Sequence, residues 1–235
     1  TSQTATANPT LKLNLMEVIE DMFMVLSEKE REVIVKRFSL DNKERQTLES
    51  IGRTFNVTRE RVRQIEKIAL SKLKRTLTNT KLKYINEVGH AILKENGGLL
   101  LEKDLVNKIL STIDKSENVD AYIVRLALTI SHDLTNLEKT NMFTSAWHLS
   151  TIGQEQIVEV LNHAISILKD TKEVIEKGEF HKTLLDKKFN IEDISEPFFE
   201  SVLKIDQRLK SVDEGYGLMT WRHIDPKSIR DKAYI

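Results

Sequence analysis

Residues 47–75, TLESIGRTFNVTRERVRQIEKIALSKLKR, restrict the possible folds of this chain more than any other stretch, because they are punctuated as two helices joined by one tight turn. Thr47 is a favourable N-cap, and Leu48, Ile51 and Phe55 follow it at helical spacing. Gly52 carries no side chain where two helices must cross closely. Asn56 tolerates the left-handed backbone of a turn, Val57 fills the angle between helices, and Thr58 caps the second helix. The spacing predicts a helix-turn-helix.

The second helix divides cleanly. Val62, Ile65, Ala69 and Leu73 share one face, and Arg59, Glu60, Arg63, Gln64 and Lys67 share the other. Arginine can contact guanine through two donors, glutamine can do the same for adenine, and glutamate can accept from the cytosine amino group. One face therefore holds three kinds of base reader flanked by cations suited to phosphates. The competing reading is a solvated helix rich in charge. Charge distribution favours DNA. The chain has 36 basic and 36 acidic residues, yet residues 43–83 hold twelve Lys or Arg against four Asp or Glu, a local surplus of +8.

Upstream, residues 1–10 (TSQTATANPT) are polar and predict a flexible lead-in or the remnant of a linker. Leu15, Met16, Ile19, Met22, Phe23 and Leu26 then form a helical stripe within residues 11–26, expected to pack on the helix-turn-helix core. Ser27 with Glu30 is a capping-box pattern that starts a helix over Glu28 to Phe38.

The run LSEKEREVIVKRF (Leu26 to Phe38), followed by TLESIGRTFNVTRERVRQIEKIALSKLKR, closely resembles region 4 of sigma-70-type bacterial sigma factors, the module that reads the −35 promoter element. The resemblance covers about Leu15 to Leu77 and is carried by the core VTRERVRQIE. It implies base contacts at Arg59, Glu60 and Gln64. It also implies backbone contacts at Arg61 and Arg63, and a helix N-terminus placed at a phosphate by Thr47. Arg53, Thr58 and Lys67 join these as backbone-contact candidates. The family uses the same module to bind the flap of the RNA polymerase β subunit, so the resemblance implies promoter DNA and bacterial RNA polymerase as partners. Three positions depart from the pattern: Ser50 replaces a Glu that would complete a capping box with Thr47, Ser39 replaces a helix-ending Gly, and Ile68 replaces a frequent Lys. No aromatic, basic segment for melting a −10 element is recognisable, so the chain as given is not expected to be a complete sigma factor.

Beyond Leu77 the sequence repeats itself. His90-Ala91-Ile92 recurs as His163-Ala164-Ile165, and Trp147 recurs as Trp221, at nearly one offset. Each copy is expected to run as three helices, the second led by Glu102 or Glu176, before a hairpin whose aromatic strand brings its Trp over the core. This layout resembles HARE-type winged-helix domains, found in the δ subunit of some bacterial RNA polymerases, in chromatin-associated proteins and in some restriction endonucleases. The resemblance implies a nucleic-acid or polymerase interaction module. Residues 84–235 hold 19 basic against 25 acidic residues, which favours docking on a basic surface over wrapping DNA, with a spacer role as the plainer reading.

The expected fold is therefore mainly α. A lead-in (1–10) precedes a sigma region 4-like helix-turn-helix bundle (11–80) and two tandem winged-helix units of three helices plus a small β wing (81–152 and 153–225). A tail (226–235) reads as the start of a third copy or as a short capping helix.

Composition narrows the function classes. No apolar run approaches the ~20 residues of a membrane span and no signal-peptide pattern precedes the first helix, which predicts a cytoplasmic protein. Cysteine is absent, and six scattered histidines, His90 and His163 among them, lack a paired-ligand spacing, so no metal site is expected. No phosphate loop or nucleophile–base grouping stands out, so neither catalysis, a cofactor nor a small-molecule substrate is expected. Two readings remain: a sigma-like transcription factor that reads a −35-like element, or a polymerase-binding accessory protein of the δ type with little sequence reading of its own.

Overall fold

The structure, a computed structural model, describes residues 15–41, 43–80, 82–113, 121–187, 194–213, 215–221 and 223–225, with the side chains of 15–18 outside that description. The expected lead-in, residues 11–14 of the first helix and the tail 226–235 lie outside the described residues. The chain is mainly helical with a few small sheets, and it divides into two compact units. One comprises residues 1–89 with 106–132, the other residues 90–105 with 133–235.

The first unit opens with α1 (Leu15–Phe23), α2 (Glu28–Phe38), α3 (Leu48–Phe55) and α4 (Arg59–Thr76). Ile19, Met22 and Phe23 of the expected stripe are buried, whereas Leu26 falls beyond the end of α1 and is half-buried. The capping box forms as its residue types require: the Glu30 backbone N–H donates to Ser27 Oγ, and the Ser27 N–H donates to the Glu30 carboxylate at 2.8 Å. Ser39 ends α2 in the left-handed region (φ 56°) without the glycine usual there, and its buried hydroxyl has no partner among the described residues.

A small core of Val33, Ile51, Val62 and Ile65, edged by Leu48, Phe55 and Val57, holds α2, α3 and α4 together. Arg37 of α2 reinforces it from the rim. Its Nε donates to Glu66 of α4 at 3.0 Å and its Nη1 to the Gln46 carbonyl at 2.9 Å, with both charged side chains only 15% exposed. Lys72 of α4 likewise reaches Glu30 of α2 at 2.8 Å. A single 3-10 turn follows α4 at Leu77–Asn79. The unit also takes the first part of α5 (Leu82–Glu95), α6 (Glu102–Thr112) from residue 106, and α7 (Ala121–Thr129). Helix α7 packs on α2 and buries Ile123, Val124, Leu126, Ala127 and Leu128.

The second unit contains the remaining elements: β1 (Leu99–Leu101), β2 (Leu134–Leu137), β3 (Ala146–Leu149), α8 (Gln154–Thr171), α9 (Lys177–Asp186), α10 (Glu196–Ile205), β4 (Leu209–Val212) and β5 (Gly215–Leu218). The first sheet has the order β1-β3-β2, antiparallel throughout, with Trp147 opposite both Leu100 and Asn136. The second is the β4-β5 hairpin, which Ile175 joins through a bridge to Tyr216. One apolar cluster runs from Leu99, Leu137 and Ala146 through α8 and α10 to Tyr216 and Leu218. Gly97 lets two backbones meet: at φ 79°, a Cβ there would lie 2.3 Å from the Phe198 nitrogen of α10. The connection between β2 and β3 is tied to the end of α10 by Thr144 N–H donating to the Ile205 carbonyl at 2.8 Å and Gln207 N–H to the Met142 carbonyl at 2.9 Å.

After α4 a similar order of elements occurs twice, in a register that differs from the Trp-to-Trp match. Helices α6 and α9, helices α7 and α10, and strands β2 and β4 each begin 75 residues apart, whereas β3 and β5 begin 69 apart. Two residues of sequence separate β4 from β5, where eight, 138–145, separate β2 from β3. Tyr216, not Trp221, therefore occupies the place of Trp147: Tyr216 faces Ile175 as Trp147 faces Leu100. Trp221 lies three residues past β5, packs against the core edge and stacks on His223 with ring centroids 5.4 Å apart. The two glutamates also diverge. Glu102 accepts from Trp147 Nε1 at 3.3 Å and Ser145 Oγ at 3.1 Å. Glu176 instead caps α9, and the backbone N–H groups of Glu179 and Gly178 hold its carboxyl below the usual range.

Candidate nucleic-acid interface

Local chemistry sets the turn that presents α4. Thr47 Oγ1 accepts from the Ser50 N–H at 3.1 Å and starts α3, while Ser50 returns no reciprocal bond of the kind a glutamate would give. Asn56 ends α3 with φ 51°, and the Val57 N–H donates to the Gly52 carbonyl at 2.9 Å. A Cβ on Gly52 would stand 2.7 Å from the Val57 carbonyl oxygen, so the turn closes only because that atom is missing. Thr58 Oγ1 then accepts from the Arg61 N–H at 3.2 Å and starts α4.

The two faces of α4 separate as the periodicity requires. Val62, Ile65, Ala69 and Leu73 are buried, and Arg59, Glu60, Arg61, Arg63, Gln64 and Lys67 are all exposed. Thr47, Arg53 and Thr58 are also exposed, and Arg53, Thr58 and Arg59 line one shallow concavity at the turn with Glu49, Gly52, Asn56 and Val57. The structure thus brings all nine sequence-derived candidates onto α3, α4 and their caps within the first unit.

Several of these side chains are already paired. Arg63 donates to both Glu60 oxygens, Nε to Oε2 at 2.8 Å and Nη2 to Oε1 at 2.6 Å. The Arg63 fork holds the Glu60 carboxyl below the usual carboxylate range, and Glu60 in turn raises the Arg63 guanidinium. Arg61 Nη1 donates to Gln64 Oε1 at 3.2 Å. Arg59 Nη1 lies 3.0 Å from Glu49 Oε1 of α3. Glu49 stands ten residues from Arg59 across a turn, and no helical period links them, so residue spacing assigns Glu49 no role. Ile68, where a lysine is frequent in the resembling family, is 48% exposed one turn beyond Gln64.

The arrangement offers hydrogen-bond donors, one charged acceptor and an amide on a convex helix face, within a segment of net +8. It is suited to reading base edges between phosphates. Among the described residues, no His, Cys, Asp and Glu grouping could hold a metal ion, and no helix is long and apolar enough to cross a membrane.

Comparison with known proteins agrees with this geometry. Residues 23–75 match the family Sigma-70, region 4. Over 69 residues the chain is 49% identical to RNA polymerase sigma factor SigA1 of Synechococcus elongatus, covering 29% of this chain and 17% of that protein. It is 46% identical over the same length to RNA polymerase sigma factor SigA of a Bacillus species and of Listeria monocytogenes, covering 18% of each. The chain thus spans under a fifth of the length of these relatives. Residues 23–75 of this chain form a sigma-70 region 4 domain.

Proposed function

We propose that the chain is a sigma-like transcription factor that reads a −35-like promoter element through α4 and associates with bacterial RNA polymerase in the cytoplasm. The observation that carries this reading is the joint exposure of Arg59, Glu60 and Gln64 on a Thr58-capped helix whose opposite face is core. Arg53, Thr58, Arg61, Arg63, Lys67 and the α3 N-terminus at Thr47 supply phosphate contacts around them. The task is binding, not catalysis.

The region after α4 serves this function as interaction modules of winged-helix, HARE-like type. Their element order, a helix, a short strand or bridge, two helices and a hairpin, supports that reading. The third helix of each copy is an unsuitable groove reader. Helix α7 is buried on α2 and its only cation is Arg125; α10 abuts Gly97 and carries Glu196 and Glu200 beside its only cation, Lys204. DNA reading then falls to α4 alone. A lone helix-turn-helix with about six phosphate contacts loses affinity steeply in salt, with a slope near −0.9 per phosphate, so polymerase tethering, with the β flap as the docking partner, would supply the missing effective concentration.

Gel-shift titrations over −35-like and random duplexes at two salt concentrations test the reading. Arg59→Ala and Gln64→Ala are each expected to cost about 1–3 kcal/mol on the preferred duplex and to relax preference at one base step. Equal affinity of the parent chain for every duplex would overturn it.

A further inference from the structure

We infer that Glu49 is a positioning residue for Arg59: its carboxylate pre-orders the arginine fork for a guanine in the groove, an assignment that rests on the promoter-reading function of α4. Glu49 lies in the first turn of α3 and Arg59 opens α4, yet Oε1 and Nη1 stand 3.0 Å apart because the Gly52–Thr58 turn folds the two helix starts together. The other pairings of the reading face, Glu60 with Arg63 and Arg61 with Gln64, stay within α4. Among the described residues, Arg59 is the one base reader tied to a different helix.

The chemistry fits orientation better than masking. Arg59 remains 69% exposed and Glu49 49% exposed, so the pair is a weak surface contact that DNA need not break. One Nη1–H is committed to Glu49, and the remaining N–H groups of the planar guanidinium keep the geometry for guanine O6 and N7. A long side chain free in solution must be ordered on binding, and a partner that orders it beforehand lowers that cost.

The contact also has an electrostatic consequence of opposite sign. A carboxylate at the edge of the groove repels phosphates, so Glu49 lowers affinity for DNA in general while raising discrimination at the step Arg59 reads. A residue that merely supported the fold would not move these two quantities in opposite directions.

Binding of the full chain to duplexes varied at each base pair decides the matter, using Glu49→Gln, Arg59→Ala and the double variant. The step read by Arg59 is the one at which Arg59→Ala loses preference. At that step Glu49→Gln is expected to lose about two- to fivefold in discrimination, the range of an exposed ion pair, while its affinity for random duplex rises. The double variant should then discriminate no worse than Arg59→Ala alone. Discrimination that is unchanged or improved in Glu49→Gln overturns this inference while leaving promoter reading intact. A parent chain indifferent to sequence overturns both. Thermal unfolding of Glu49→Gln should match the parent, since both side chains stand in solvent.

Discussion

Glu60 and Arg63 hold each other through two hydrogen bonds of 2.8 and 2.6 Å, one helical turn apart on the outward face of α4. The carboxylate that would accept from cytosine is thus aimed by the arginine that would neutralise a phosphate. Arg63→Ala should therefore do two things: weaken binding to every duplex with a salt slope shallower by about one unit, and loosen the preference at the base Glu60 meets. Without the Arg63 fork, the Glu60 carboxyl also protonates at higher pH, so the variant should lose that preference earlier on acidification than the parent. Titrations at two salt concentrations and several pH values measure all three effects, and an unchanged salt slope would remove Arg63 from the phosphate contacts.

Gly52→Ala should damage the turn that presents α4. Its new methyl group would meet the Val57 carbonyl oxygen at 2.7 Å, a backbone atom that cannot swing away like a side chain. The expected loss is about 1–3 kcal/mol, read by urea unfolding of the full chain, with a parallel drop in DNA affinity. A variant as stable as the parent would show that α3 and α4 can separate at no cost.

Acid should loosen the contact between α2 and α4. Burial raises the Glu30 carboxyl, but the hydrogen bond from Lys72 and the capping contacts with Ser27 outweigh it and leave the group below its ordinary value. Its folded pKa is then lower than its unfolded one, near 4.3, so its stabilisation is complete above that value and lost as pH falls through the folded one. Lys72→Met should cost about 0.2–1 kcal/mol near pH 7 and flatten the fall of Tm between pH 5 and pH 3. Identical Tm–pH curves for variant and parent would dismiss the pair as a stabilising contact.

Ile68→Lys should strengthen binding without regard to sequence. Ile68 is 48% exposed and outside the core, so stability should stay within about 0.5 kcal/mol. A cation at this height on α4 would add one phosphate contact and steepen the salt slope by ~0.9. An unaltered slope would place position 68 away from the DNA backbone.

The helix-turn-helix was legible because its signals are local. Thr47, Gly52, Asn56 and Thr58 each act on their own turn of backbone, and the two faces of α4 follow from one period. Contacts across elements were not legible: Arg37 with Glu66, Lys72 with Glu30 and Arg59 with Glu49 depend on crossing geometry that residue spacing does not encode. Ser39 shows a limit of residue preference, since the structure takes a left-handed C-cap there without glycine. The repeat misled at one point. Two tryptophans at a similar offset looked equivalent, but the six-residue difference between the hairpin connections puts Tyr216 in the strand position of Trp147. A shared residue type was a weaker marker than strand pairing.

The division of labour within α4 has a practical consequence. Val62, Ile65, Ala69 and Leu73 spend their bulk inward, so positions 59, 60, 63, 64 and 67 can be exchanged without emptying any cavity. Address and scaffold are thereby uncoupled, and a library randomised at these five outward sites should yield proteins of one shape that recognise different operators.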